Sequence, residues 1–366
     1  MIKSVKILSI ITELMSWYGE HARDLPWRRT SDPYAIWVSE IMLQQTRVET
    51  VIPYYQRWMI ELPTLQALVL ADQDQVLKLW EGLGYYSRAL NMHKAANLIV
   101  KNFNGNLPED VKSLESLPGI GRYTAGAIAS IAFDHHAPIL DGNIKRVFSR
   151  LFNISTPLKT SETEKDLWRI AENLLPSDSP GDFNQALMEL GALVCLPKNP
   201  DCNCCPLQND CLAYQYNLQG DLPARMEKSP QPHIQVTAAV IKKGRQILLA
   251  KRPSKGLLGG MWEFPGGKQE KNETLPETLE REIKEELDAT IQVGEHIGTY
   301  KHAYTHYKVT LHAYQCRLVS EDLKMNYHTD LVWAPLETIH SYPMGKLDRI
   351  IAKQLQSEND VSPGNL

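Results

Sequence analysis

Cys195, Cys202, Cys205 and Cys211 form a C-x6-C-x2-C-x5-C run in a chain whose other thiols are Cys204 and Cys316. Spacings this tight let one loop wrap thiolates around a single metal centre, which predicts a metal site in a reducing setting rather than a disulfide framework. Zinc and a 4Fe–4S cluster both accept four thiolates. Structural zinc pairs two short C-x2-C knuckles, whereas one short gap between two longer ones suits a cube-shaped cluster, so iron–sulfur is the expectation. A second run is Leu117-Pro118-Gly119-Ile120-Gly121-Arg122-Tyr123-Thr124-Ala125. Its two glycines permit a tight turn with backbone N–H groups facing outward at a helix start, a natural seat for a phosphate, although an ordinary helix–turn–helix link reads the same way. Shortly downstream, Asp141-Gly142-Asn143-Ile144-Lys145-Arg146 sets a carboxylate at a helix start ahead of two cations.

Two halves must position these groups. Up to about Gly220 the apolar residues recur at helical spacing, broken at Leu62-Pro63, Asn104-Gly105 and Leu117-Pro118-Gly119, which predicts an all-α domain over residues 1–220. Residues 221–232 are polar and proline-rich and read as a linker. Beyond it the period changes: Ile234, Val236, Ala238 and Val240 alternate, Lys242-Lys243-Gly244 can turn, and Ile247 to Ala250 can return as a strand. Leu275, Leu279, Ile283 and Leu287 mark one helix, so residues 233–356 are expected to be an α+β domain.

Composition limits the function. With 366 residues, 43% of them hydrophobic, the chain can bury the cores of two or three domains. The apolar stretch from Val5 to Trp17 carries Lys6 and Glu13 and reads as an amphipathic helix, not a membrane span or targeting signal. An intracellular, cytoplasmic and nucleoid-associated protein without a membrane partner is expected. A net charge of −4 weighs slightly against a nucleic-acid partner, so local placement of Lys and Arg must do that work.

From Leu25 to Cys211 the chain resembles the helix-hairpin-helix, glycine/proline-Asp superfamily of DNA glycosylases, and within it the MutY-type adenine glycosylases. The resemblance rests on Leu25-Pro26-Trp27-Arg28, on Trp37 to Thr46 with Glu40 and Gln44-Gln45, on Gly82-Leu83-Gly84-Tyr85-Tyr86-Ser87-Arg88, on the hairpin, on Leu140-Asp141-Gly142-Asn143 and on the cysteine loop. It implies a 4Fe–4S cluster on the loop 195–211, with Cys204 a bystander, and duplex DNA as the partner of a monomeric enzyme. Members with lyase activity attack the sugar with a lysine just after the hairpin glycines. Tyr123 stands there in this chain, so no Schiff base can form and simple hydrolysis of an N-glycosidic bond is implied.

Adenine leaves readily only when its ring is protonated, and the enzyme therefore needs an acid that keeps its proton near neutral pH. Glu40 sits among Ile36, Trp37, Val38, Ile41 and Leu43, where burial should raise its pKa. Asp141, at a helix start beside Asn143, Lys145 and Arg146, is expected to stay ionised. By resemblance Glu40 protonates the base, Asp141 stabilises or briefly bonds the sugar cation, and Tyr123 and Asn143 hold the two carboxylates. A helix hydrogen bond for Glu40 and a plain N-cap for Asp141 are the alternatives. Extruding the nucleotide needs a filler, and Gln45 and Tyr85 are the implied wedges. Arg28 is placed near the base pocket; Gly119, Gly121, Arg122 and Lys198 are candidate phosphate contacts.

The second half departs from the usual pattern. Gly267-x5-Glu273-x7-Arg281-Glu282-Ile283-x-Glu285-Glu286 resembles the Nudix box of MutT-type pyrophosphohydrolases, with Asp288 in place of the last glycine. That resemblance implies Mg2+ at Glu282, Glu285 and Glu286, on one arc of helix. Two readings follow: a relic used to read 8-oxoguanine opposite the adenine, which is favoured, or a retained Mg2+-dependent hydrolysis of oxidised dGTP. The lesion-reading turn of the family, Phe-Ser-His, corresponds here to Tyr304-Thr305-His306, which keeps the ring and the hydroxyl. Removal of adenine opposite 8-oxoguanine or guanine is the expected reaction.

Overall fold

The computed structural model describes residues 4–224, 231–304, 307–320 and 322–360, so Thr305 and His306 lie outside the described residues. Its first half is helical: α1 (Ser4–His21), α2 (Pro33–Leu43), α3 (Val48–Glu61), α4 (Leu65–Leu70), α5 (Gln73–Trp80), α6 (Ser87–Asn102), α7 (Val111–Glu115), α8 (Arg122–Phe133), α9 (Gly142–Leu151), α10 (Ser161–Leu174), α11 (Pro180–Leu193) and α12 (Leu212–Gln215). The amphipathic N-terminal segment is α1, with Ile10 and Leu14 buried in the same core as Phe148 of α9, Leu167 of α10 and Phe183 of α11.

Helix α2 starts at Pro33, whose lost N–H costs nothing there, and is capped by Asp32 accepting from Tyr34 N at 3.1 Å. Every residue from Tyr34 to Met42 is buried, as expected of a helix that is apolar on all sides. That burial carries Glu40 into the interior. Helix α8 follows the hairpin and α9 begins at an Asp141 cap, with Ile144 N donating to Asp141 Oδ1 at 2.7 Å.

The second half holds β1 (His233–Lys243), β2 (Gln246–Lys251), β3 (Trp262–Glu263), α13 (Leu275–Leu287), β4 (Ile291–Ala303), β5 (Lys308–Leu318), β6 (Asp330–Pro335) and α14 (Lys346–Asp360). Strand order is β3-β2-β1-β5-β4, with β6 also on β2; β1 and β5 run parallel and the other pairs antiparallel. Both faces of β1 are buried, Ala238 and Val240 in a core shared with Ile351 and Leu355 of α14, Ala239 and Ile241 in one shared with Leu279 and Ile283 of α13. A strand covered on both faces reads as a near-continuous apolar run, as parallel pairing requires. Helix α13 opens with a Thr274–Glu277 capping box and ends at Asp288, whose φ of 49° is the left-handed position a glycine would fill.

The chain divides into two compact units, Met1–Leu70 with Asn91–Lys228, and Ala71–Leu90 with Ser229–Leu366. Helix α5 and the loop after it thus group with the C-terminal half.

The cysteine loop differs from expectation. Residues 195–211 form two short 3-10 turns, Cys202–Cys204 and Gln208–Asp210, closed by backbone bonds such as Cys205 N to Cys202 O at 3.3 Å. Arg150 laces the segment, donating to Leu196 O at 2.7 Å and to Cys195 Sγ at 3.3 Å, while Cys211 Sγ donates to Arg150 O at 3.6 Å. Burial pushes the Cys205 thiol up to about 12. Among the described residues no three His, Cys, Asp or Glu side chains are grouped so that they could hold a metal ion. The fold is therefore an all-α domain plus an α+β domain, and both the iron–sulfur loop on Cys195, Cys202, Cys205 and Cys211 and the 4Fe–4S cofactor are corrected. Spacing decides which thiols share a loop; side-chain direction decides whether their sulfurs converge.

Candidate active site

Helices α2, α8, α9 and α11 bring Glu40, Tyr123, Asp141 and Asn143 to the wall of one cavity of about 670 Å3, which Arg28 and Gln45 also line. Tyr123, the second residue of α8, donates its hydroxyl to Glu40 Oε2 at 2.8 Å. On α9, Asn143 Nδ2 donates to Asp141 Oδ2 at 3.0 Å, so both carboxylate oxygens of Asp141 are hydrogen-bonded. The amide of Asn143 is itself oriented: its Oδ1 accepts from Arg146 Nη2 at 2.9 Å, and Arg146 is anchored on Cys195 O at 2.7 Å and Gly191 O at 2.6 Å. Gly191 permits this closeness, because a Cβ there would meet Asn143 Cβ at 2.6 Å.

Burial raises the Glu40 carboxyl to about 7, with the Tyr123 hydrogen bond pulling the other way and the Asp141 charge adding to the rise. Asp141, expected to stay ionised, is shifted in the same direction. Burial moves it upward too, opposed by the backbone N–H groups of Ile144 and Asn143 and by Arg146. The helix start restrains the shift rather than reversing it, since the cap bonds compete with the loss of water around a deeply placed carboxylate.

A third carboxylate was missed. Glu189 on α11 is 1% exposed and accepts from Arg23 N, Nε and Nη2 at 2.8 to 2.9 Å and from Arg28 Nη1 and Nη2 at 3.1 and 2.9 Å. Burial works to raise its pKa, and the bonds from Arg23 and Arg28 overcome it and hold Glu189 at about 2. Arg28, expected near the base pocket, does line the cavity, with its guanidinium on Glu189 and 5.5 Å from the Tyr18 ring. The signal that singled out Glu40, an acidic residue in an apolar stretch, is present at Ala186-Leu187-Met188-Glu189-Leu190.

The remaining candidates separate. Gln45 and Tyr85 both sit at positive φ, 56° and 47°, uncommon for residues with a Cβ and a sign of local strain; Tyr85 is 41% exposed. At the hairpin Gly119 has φ 81° and lies where a Cβ would meet Asn91 Cβ at 2.8 Å, while Gly121 precedes α8 with open space beside it. Arg122 stacks on the Trp168 ring at 3.7 Å and pairs with Glu172 at 2.9 Å, and Lys198 is exposed.

In the second unit a cavity of about 270 Å3 is lined by Glu263, Glu282, Glu286, Arg252, Tyr304 and Asp348 among others. Burial pushes Glu286 up to about 8, with the Glu263 charge adding to the rise. Burial likewise raises Asp348 to about 7. The expected Mg2+ triad is not assembled: Arg281 pairs with both Glu282 and Glu285 at 3.1 Å, and no metal-holding group occurs among the described residues. Glu285 is on the exposed side of the helix, so one arc of sequence does not give one convergent set of oxygens. Tyr304 backs into this cavity and its N donates to Tyr307 O at 2.9 Å.

Residues 38–173 match the HhH-GPD superfamily of base excision DNA repair proteins, and residues 236–354 match the NUDIX domain. An adenine DNA glycosylase of Rattus norvegicus is 38% identical, over 83% of this chain and 70% of its own. One from Buchnera aphidicola subsp. Schizaphis graminum is 34% identical, over 91% of this chain and 94% of its own. The chain belongs to the adenine DNA glycosylase family. It is an enzyme of the class that hydrolyses N-glycosyl bonds in DNA. Among solved structures, a thermostable thymine-DNA glycosylase is 29% identical with a TM-score of 0.54, over 58% of this chain and 97% of that one. A non-covalent endonuclease III–DNA complex, 20% identical with a TM-score of 0.51, shares the fold of 60% of this chain. No helix among the described residues is long and apolar enough to cross a membrane.

Proposed function

We propose that this adenine glycosylase acts, as a monomer, on adenine mispaired with 8-oxoguanine or guanine in duplex DNA and leaves an abasic site without cutting the strand. The observation that carries the proposal is the buried Glu40–Tyr123 pair facing Asp141 across one cavity. With a pKa of about 7, Glu40 is protonated in a large fraction of molecules at neutral pH and can give that proton to the adenine ring as the glycosidic bond breaks. Asp141, held at both oxygens, then faces the cationic sugar, and water completes the hydrolysis. Tyr123 supplies no amine, which supports hydrolysis over lyase chemistry. Gln45 and Tyr85 are the residues proposed to fill the gap left by the extruded nucleotide, and Tyr304, Thr305 and His306 those proposed to meet the 8-oxoguanine.

Cleavage of a labelled duplex with adenine opposite 8-oxoguanine, beside A·G and A·T duplexes, tests this. Strand breakage that depends on alkali is expected for the first two. Breakage without alkali, or equal action on A·T, would overturn the assignment.

A second reading is favoured by the NUDIX match and by the acidic cavity of the second unit: the chain also hydrolyses oxidised dGTP. Water would attack a phosphoanhydride bond, giving the nucleoside monophosphate and pyrophosphate. Incubating 8-oxo-dGTP with the protein, with and without MgCl2, and measuring pyrophosphate decides it. Release that Glu286→Gln abolishes would support this activity, and its absence under both conditions would leave the domain with lesion reading alone.

A further inference from the structure

The loop that presents Tyr85 is held in an unusual shape. Gly82, Gly84 and Tyr85 have φ of 107°, 73° and 47°, three left-handed positions within four residues. Arg88 stiffens it from inside, donating to Leu83 O at 3.2 Å and Gly84 O at 3.1 Å and lying over the rings of Trp80 and Tyr85 at 5.1 and 5.7 Å. Trp80 Nε1 adds a bond to Gly84 O at 3.1 Å. Such a loop keeps its internal shape, and its placement is then decided by what holds its ends.

Its N-terminal end is fastened within the second unit. Asp74 of α5 accepts from Trp262 Nε1 of β3 at 3.0 Å and pairs with Lys251 of β2 at 2.7 Å. Lys78 donates to His340 O at 2.5 Å. Gly260 is seated so near α5 that a Cβ would meet Gln73 Nε2 at 2.5 Å. The last anchor is Glu81, the residue before Gly82, which takes a two-pronged bond from Arg349 of α14 at 2.6 and 3.0 Å. The two side chains are only 12% and 16% exposed, and Arg349 also donates to Ile339 O at 3.3 Å and to Tyr342 O, so its guanidinium has one orientation.

We propose that the Arg349–Glu81 pair is a positioning device for base extrusion, through which the C-terminal half sets where the Tyr85 ring enters DNA. This rests on the reading of Tyr85 as a wedge. Neither residue reaches the reacting atoms. The pair fixes the hinge end of a stiff loop, so losing it lets the ring arrive out of register while the cavity around Glu40 is untouched.

Single-turnover excision by the full chain is measured on two duplexes, one with well-paired flanks around the adenine and one with mismatched flanks that already lower the cost of extrusion. Glu81→Gln and Arg349→Gln should each slow the first by about tenfold and the second far less. Tyr85→Ala should show the same split, and thermal unfolding checks that each variant is folded. Two glutamine variants are used because Arg349→Gln also removes bonds to two carbonyls and Glu81→Gln also removes the 2.9 Å pair with Lys78, whereas both lose the Arg349–Glu81 bond. Equal slowing on both duplexes, or none, for the glutamine variants while Tyr85→Ala keeps its split overturns the tether. Loss of the split in Tyr85→Ala itself overturns the wedge reading beneath it.

Discussion

The cavity of the first unit and the acidic cavity of the second both hold a carboxyl pushed toward neutrality, yet they are finished differently. In the first, Glu40 at about 7 has the Tyr123 hydroxyl on Oε2, and its ionised neighbour Glu189 is gripped by two guanidiniums. In the second, Glu286 at about 8 has an Oε2 with no hydrogen-bond partner, with His328 Nε2 3.8 Å away, and Asp348 on the same wall is raised to about 7. Burial raises a carboxyl in both places. What differs is the partner set: the first site is complete and poised to donate a proton, whereas the second keeps an acceptor in need of a donor or cation.

The largest effect expected from breaking this contrast is at Glu40. Glu40→Gln should cut adenine excision by roughly 10^2 to 10^4-fold, measured in single turnover, because no proton remains for the leaving base. The same variant should be more stable than the parent at pH 8. A folded pKa of about 7 against an ordinary 4.5 means the folded state binds more protons between those values, so stability falls as pH rises through that window. The penalty removed is at most about 3 kcal/mol, read from denaturant unfolding at pH 4 and pH 8. A Glu40→Gln that retained activity would return Glu40 to the role of a helix hydrogen-bond acceptor.

Glu189 should behave in the opposite sense. Its folded pKa of about 2 gives stability that is present above its ordinary value of 4.5 and lost as pH falls through 2. Glu189→Gln should therefore cost roughly 3 kcal/mol at pH 7 and almost nothing near pH 2, because it leaves the Arg23 and Arg28 guanidiniums without their anion. Equal unfolding midpoints at pH 7 would mean that water replaces the carboxylate there. Excision against pH sharpens the comparison further: the rate should decline on the alkaline side with a midpoint near 7, as Glu40 loses its proton. A flat profile from pH 6 to 9 would place the acid elsewhere. The smallest effect is at Asp288→Gly. Glycine relieves the left-handed φ of 49°, but the pairs with Lys284 and Lys324 disappear, so the unfolding temperature should hardly move.

Much of the scaffold is legible from neighbours along the chain. Helix α13 runs from Leu275 to Leu287, the span its apolar stripe marks, because periodicity and the Thr274 cap act within a few residues. The cap at Asp141 and the return from β1 to β2 at Lys243–Gln246 are local in the same way. Strands β3 to β6 and helix α14 are not marked out in this way, because their burial depends on which faces of the sheet the two helices cover.

The sequence by itself determined two halves of different period, a glutamate set in an apolar helix, a capping aspartate, a tyrosine after the hairpin and an incomplete Nudix box. Tertiary structure alone decided that Arg23 meets Glu189 across 166 positions, that Asp141 is lifted by burial despite its cap, that the loop cysteines are laced by Arg150, and that residues 71–90 pack with the C-terminal half. The division has one cause. Propensity and capping depend on the nearest few residues, whereas the field at a buried charge and the meeting of distant side chains depend on which surfaces lose their water together.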